Sequence, residues 1–233
     1  DGYDDVIIGM PYYDVSVADN FGRAELYLGN SAGVSNTAIW TGTGEKDTQW
    51  GQIQNPRYGW SVATGNFNND EYDDFLIGQL DYTVHGSDYA MSVGRVYVYL
   101  GNMNGVNPNP QILTHYPPHD ASCADYDRAP ASIFGWSVAA GDMHGDGRDE
   151  VIIGARDMVC TGLLHIFRAT EEGIRWSLKN KQYWEGGPGG GFKYTGYHKF
   201  SSYVSSGDIN GDGYDDMVVS DPWYTFNSND VKF

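Results

Sequence analysis

The chain has 233 residues, 40% of them hydrophobic, and a formal net charge of −17. That apolar content excludes a disordered chain, and the negative balance excludes nucleic acid or an anionic membrane surface as a partner. No apolar run approaches the ~18 residues of a membrane-crossing helix, and 31 glycines, 18 tyrosines and 7 tryptophans favour short strands joined by tight turns.

In chain order, the first predicted elements are an acidic turn, Asp1-Gly2-Tyr3-Asp4-Asp5, and a strand, Val6-Ile7-Ile8-Gly9. A strand with period-two alternation runs from Gly22 to Gly29, and a weaker one covers 37–41. A strand from Tyr58 to Gly65 then leads into an acidic turn, 66–74, and an apolar strand ending at Gly78. The alternating strand returns at 94–101 and the weak one at 111–114. Phe134 to Gly141, the acidic turn 142–150, an apolar strand ending at Gly154, 162–168 and 174–178 follow in the same order. Last come Phe200 to Gly207, the acidic turn 208–216 and an apolar strand ending at Ser220. No segment has a helical period.

These elements form a repeat. The equivalent residues Asp1, Asp70, Asp146 and Asp212 stand 69, 76 and 66 positions apart. One repeat holds four short strands, A, B, C and D, with the acidic turn between A and B. Four strands per repeat predict an all-β fold of propeller blades. Blade I is partial (1–57), II (58–133) and III (134–199) are complete, and IV is partial (200–233). The chain opens inside a motif, so its true start is expected to lie upstream. A closed ring needs ~4–8 blades, so further blades from the same or another chain are expected.

The repeats resemble the FG-GAP repeats of the integrin α-subunit propeller. The resemblance rests on Phe134-Gly135 with Gly154-Ala155, on Gly9-Met10-Pro11 and on Ser220-Asp221-Pro222. Tyr58 replaces one Phe, Ser201 replaces one Gly, and no Gly-Ala-Pro ending is complete. The resemblance implies a ring of seven blades, an extracellular or cell-surface setting and a role in recognition or adhesion. A secreted or periplasmic setting stays open.

The acidic turns carry oxygen donors at positions 1, 3, 5 and 9, with a backbone carbonyl at 7. A hard cation such as Ca²⁺ takes six to eight oxygens at ~2.3–2.6 Å. Loop IV offers Asp208, Asn210, Asp212, the Tyr214 carbonyl and Asp216. Loop III offers Asp142, His144, Asp146, the Arg148 carbonyl and Glu150, with His144 a poor hard-cation ligand. Loop II offers Asn66, Asn68, Asp70, the Tyr72 carbonyl and Asp74, and loop I keeps Asp1 and Asp5. Two to three structural Ca²⁺ sites are expected. Gly147 and Gly213 allow a turn through φ > 0. Asp4, Asp73, Asp149 and Asp215, at position 8, are expected outside the ion's shell.

Strand alternation puts the acidic turns on one face of the blades and the long B–C and D–A connections on the other. These are residues 10–21, 79–93, 115–133, 156–161 and 179–199. Cys123 and Cys160 fall on that second face, within reach of one disulfide. Its aromatic residues make it the candidate partner surface: Tyr82, Tyr89, Tyr116, Tyr126, Tyr183 and Trp184, with Tyr12, Tyr13, His119, Tyr194 and Tyr197 nearby. No nucleophile elbow, haem motif or zinc spacing is present, so the chain is read as a non-enzyme that binds a protein ligand. A propeller lectin binding glycans is the alternative, and a propeller-borne polysaccharide hydrolase or lyase is third.

Overall fold

A computed structural model describes residues 2–14, 21–44, 56–85, 90–115, 133–156, 162–170, 173–175, 183–185 and 199–222. Among them are twenty strands and no helix, and hence no helix long and apolar enough to cross a membrane. Blade I holds β1 (Val6–Met10), β2 (Arg23–Tyr27), β3 (Gly29–Asn30), β4 (Gly33–Val34) and β5 (Trp40–Thr43). Blade II holds β6 (Tyr58–Gly65), β7 (Asp74–Gln79), β8 (Thr83–His85), β9 (Ala90–Ser92), β10 (Arg95–Tyr99), β11 (Gly101–Asn102), β12 (Gly105–Val106) and β13 (Gln111–Leu113). Blade III holds β14 (Phe134–Gly141), β15 (Glu150–Ala155), β16 (Leu163–Thr170), β17 (Gly173–Arg175) and β18 (Tyr183–Glu185). Blade IV holds β19 (Val204–Gly207) and β20 (Asp216–Val219).

Each blade is an antiparallel sheet whose spatial order follows the chain. Blade II is β6-β7-β10-β13, and blade I shows the last three of these strands as β1-β2-β5. Blade III differs from expectation in its outer strand. Leu164 pairs with Trp184 as Val96 pairs with Leu113, so strand D is β18 and not 174–178. Residues 173–175 instead fold back on the end of strand C, with Ala169 opposite Ile174 and Thr170 opposite Gly173, as Gly101 and Asn102 face Val106 and Gly105 in blade II. The 79–93 connection, expected as a loop, contains the β8–β9 hairpin.

The cores lie between blades, and period-two alternation decides which residue enters which core. Leu76 meets Val151 and Ile153 between blades II and III. Phe75 and Ile77 meet Ile7, Ala24 and Tyr58 between I and II. Ile152 meets Met217 and Val219 between III and IV. β7 and β15 are therefore buried along their whole length, while Ile8 and Val218 on the two end blades are exposed.

Blade spacing is set by backbone against backbone. A Cβ on Gly9, Gly78 or Gly154 would collide with the carbonyl of Gly59, Gly135 or Ser201 in the next blade. Beside two of these contacts a serine donates across: Ser61 Oγ to the Gly135 carbonyl and Ser137 Oγ to the Ser201 carbonyl, each at 2.8 Å. Ser201 holds φ 61°, near the 82° to 85° of Gly59 and Gly135, so the aromatic-Gly pair is a left-handed turn that Ser201 reproduces without the glycine.

His165 points from β16 into the II–III core, 1% exposed, with its ring 5.3 Å from Phe134 and 4.7 Å from His115. Burial, and to a lesser degree His115, lowers its pKa from 6.5 to about 3. The unfolded chain takes up this proton first, so the contribution present above pH ~6.5 is lost as pH falls toward about 3. Denaturant unfolding between pH 7 and pH 4 should show His165→Phe losing less stability on acidification than the wild type.

Candidate metal centres

The acidic turns begin where strand A must reverse into strand B, and their donors hold the reversal together. In loop IV, Asp208 accepts the amides of Gly211 (2.7 Å), Asp212 (3.1 Å) and Gly213 (2.9 Å). Asp212 accepts from Tyr214 N (3.0 Å) and from Asn210 Nδ2 (3.0 Å), and Asp216 accepts from Ile209 N (3.1 Å). The Gly213 amide bond, with further amides helping against desolvation, holds the Asp208 carboxyl below its ordinary range. Loop II repeats the pattern with Asp70, which accepts from Tyr72 N (2.8 Å) and Asn68 Nδ2 (2.7 Å). Position 4 carries a positive φ in all three described turns: 55° at Asn69, 66° at Gly145 and 79° at Gly211. The expected glycines at position 6, Gly147 and Gly213, have it too, but loop II does without one.

Two of the position-9 acids, Asp74 and Glu150, are buried. Asp74 is fully buried and accepts the Phe67 and Gly101 amides, both at 2.8 Å. Asp5 accepts the Gly29 amide at 2.9 Å. Gly29 and Gly101 are glycines because a Cβ there would strike the Asp4 or Asp73 carbonyl. Burial raises Asp74 to about 6, against two amide bonds and with Asp70 and Asp73 adding repulsion.

Loop III departs from this plan. Glu150 accepts from Met143 N (3.1 Å), its Oε2 lies 2.8 Å from His144 Nδ1, and its Oε1 is buried with no hydrogen-bond partner. Arg168 Nη2 donates to Asp146 Oδ2 at 3.1 Å. Asp142 accepts the Asp146 and Gly147 amides (3.1 and 2.7 Å). Burial raises Glu150, and the His144 bond opposes that rise.

Chemistry and geometry bear differently on the expected Ca²⁺. The side-chain donors of loops II and IV are all oxygens, and the partners of Asp70, Asp208, Asp212 and Asp216 are amide N–H groups, which leave the anionic charge uncompensated. That donor set fits a hard cation. The donors are not gathered as the sequence leads one to expect. Among the described residues no three His, Cys, Asp or Glu side chains stand together as a ligand set. Like charges repel, and nearby amides offer each carboxylate a separate partner. Tyr72, Arg148 and Tyr214, expected as carbonyl donors, give their amides to the position-5 aspartate. Asp1, Tyr89, Tyr116, Tyr126, His119, Tyr194, Tyr197, Cys123 and Cys160 lie outside the described residues.

Position 8, set aside in the sequence reading, joins the blades. Asp149 Oδ2 accepts the Asn66 amide at 2.8 Å, and the Asp149 amide donates to the Asn66 carbonyl at 2.8 Å. Asp215 makes the same pair with Asp142, at 2.9 and 3.0 Å. An aspartate at position 8 of all four repeats was the available signal. The other feature missed is an aromatic ladder on the long-connection side, where Tyr12, Trp60 and Trp136 follow at 6.3 and 4.7 Å and Arg156 lies 4.1 Å from the Trp136 ring. Tyr82, by contrast, is half-buried with Arg95 3.2 Å from its ring, and Tyr183 and Trp184 belong to strand β18.

The FG-GAP repeat family model matches residues 134–157 and 203–231, so the chain contains FG-GAP repeats. The chain is 29% identical over 155 residues to the phosphatidylinositol-glycan-specific phospholipase D of Bos taurus, a match covering 66% of this chain and 17% of that protein. It is 28% identical over 171 residues to integrin alpha-5 of Xenopus laevis (71% and 14%) and 28% over 176 residues to integrin alpha-PS2 of Drosophila melanogaster (71% and 10%). The chain thus spans less than a fifth of these relatives. The phospholipase overturns the expectation of a non-enzyme, which rested on missing catalytic motifs. The same repeats occur in a protein named for its enzymatic activity, and a repeat that braces blades carries no information about chemistry done elsewhere in a chain.

Removing the inter-blade carboxylate leaves a part-buried amide unpaired, so Asp149→Ala and Asp215→Ala should each cost about 1–3 kcal/mol. Urea unfolding with a chelator present should show the same loss as with Ca²⁺, because the bond is within the protein.

Proposed function

We propose that the chain is a calcium-braced stretch of FG-GAP blades that presents its long connections to a protein partner at or outside the cell surface. The observation that carries this reading is loop IV, where Asp208, Asp212 and Asp216 belong to one tight turn and have only amide partners. A divalent ion would be held there by Asp208, Asn210, Asp212 and Asp216, and in loop II by Asn66, Asn68, Asp70 and Asp74. It supplies charge compensation and cross-links the A–B turn, as structural metal sites do.

The resemblance to integrin subunits supports the extracellular setting and the protein partner. The partner surface is best represented by the Tyr12–Trp60–Trp136 ladder, whose rings offer broad contact area with few torsions to immobilise. Exposed Ile8 and Val218 at the two ends support further blades beyond this stretch.

Thermal unfolding with excess Ca²⁺ and with a chelator tests the brace. An ion at ~100 times its Kd should add ~2.7 kcal/mol for each independent site. A rise of that order, with calorimetric binding to loops II and IV, is the expected result. Equal melting in both conditions, with no heat of binding, would make the acidic turns simple Asx turns. In the Ca²⁺ state, Trp60→Ala should also weaken binding of the labelled chain to cell-surface protein, while Tyr72→Ala on the opposite face should not.

A further inference from the structure

We infer that the acidic turn of blade III is braced by the protein's own side-chain donors, Arg168 on Asp146 and His144 on Glu150, in place of the divalent ion that loops II and IV are suited to hold. The inference rests on the calcium reading of those two loops and assigns loop III a different solution to the same charge problem.

Four departures from the repeat coincide in blade III, and each answers another. Where blades I and II end strand C with Leu-Gly, at 28–29 and 100–101, blade III has Arg168-Ala169. Ala169 carries the Cβ that at Gly29 and Gly101 would strike the acidic turn. Strand C of blade III therefore does not deliver an amide to the turn as Gly101 does to Asp74. The position-9 acid is Glu150 rather than Asp, and its longer side chain bonds the Met143 amide and His144. Its other oxygen, buried without a hydrogen-bond partner, marks the bond that the glycine amide makes in blade II.

Arg168 replaces the leucine and sends its guanidinium to Asp146, the position-5 donor. Asp146 lies below its ordinary range: desolvation raises it, and Arg168 with the Arg148 amide more than reverses that. A guanidinium on position 5 and an imidazole on position 9 are donors aimed at two oxygens a hard cation would need. Position 3 is that imidazole itself, a poor ligand for Ca²⁺. Loops II and IV have an asparagine at position 3 and amide partners throughout.

One consequence is an uneven response to chelation. Blades II and III stay tied through Asp149 and Asn66, with loop III holding its shape, while loops II and IV respond to the ion.

Calorimetric Ca²⁺ titration and melting of the full chain and five variants test the inference. Asp146→Asn should leave the number of bound ions unchanged, and Asp212→Asn should lower it by one. With chelator at low salt, Arg168→Gln should lower Tm by about 2–4 °C, and Arg168→Lys should recover part of that. The loss should shrink in 1 M salt, where the Debye length is ~3 Å. His144→Asn with Arg168→Gln gives loop III the position-3 donor of loop IV, frees Asp146 of its guanidinium, and should add one ion. Loss of an ion in Asp146→Asn, no added ion in the double variant, or an unmoved Tm in Arg168→Gln would each overturn the inference. A wild-type chain that binds no Ca²⁺ would instead sink the metal reading of loops II and IV, and the Arg168 melting arm would still decide loop III.

Discussion

The Asp149 carboxylate takes the Asn66 amide, and the Asp149 amide returns a bond to the Asn66 carbonyl, so that the turn of one blade is held by the turn of the next. Asp215 and Asp142 repeat the arrangement one blade further on. The bond works because the blades touch at their backbones. Gly65 and Gly141 sit where a Cβ would press on Asp149 and Asp215, and Gly78 and Gly154 sit where one would strike the next blade's carbonyl. With blade spacing set by main chain, the apolar residues of β7 and β15 can fill the cores on both of their faces.

That close approach brings carboxylates together, and the chain must then manage their repulsion. Three means are visible. The position-8 acids accept a hydrogen bond from the neighbouring blade's amide, although burial still raises Asp149. The acids of loops II and IV rely on amides alone, which suits an oxygen-seeking cation. Loop III recruits Arg168 and His144. One repeat therefore supports different chemistry at equivalent turns, and in loop III the difference lies in Arg168 and His144.

The opposite side of the blades carries little of this constraint. Its connections vary in length between repeats, and Tyr12, Trp60 and Trp136 follow one another there, the first pair edge-on and the second tilted. A rigid scaffold with variable connections is a common way to place a binding surface. The occurrence of matching repeats in a phospholipase and in integrin subunits is consistent with a scaffold that serves more than one activity.

The sequence by itself determined the repeat, the strands and the acidic turns, because period-two alternation and glycine punctuation are local properties of the chain. It also determined the donor chemistry of each turn, His144 included. What only the tertiary structure decided was which acids look inward, outward or across. Asp149 and Asp215 hold the preceding blade, and Asp74 and Glu150 are buried, because partners such as Asn66 and Asp142 lie 83 and 73 residues away in the chain. The outer strand of blade III likewise moved from 174–178 to 183–185, since pairing register against Leu164, and not local strand propensity, sets where a fourth strand attaches.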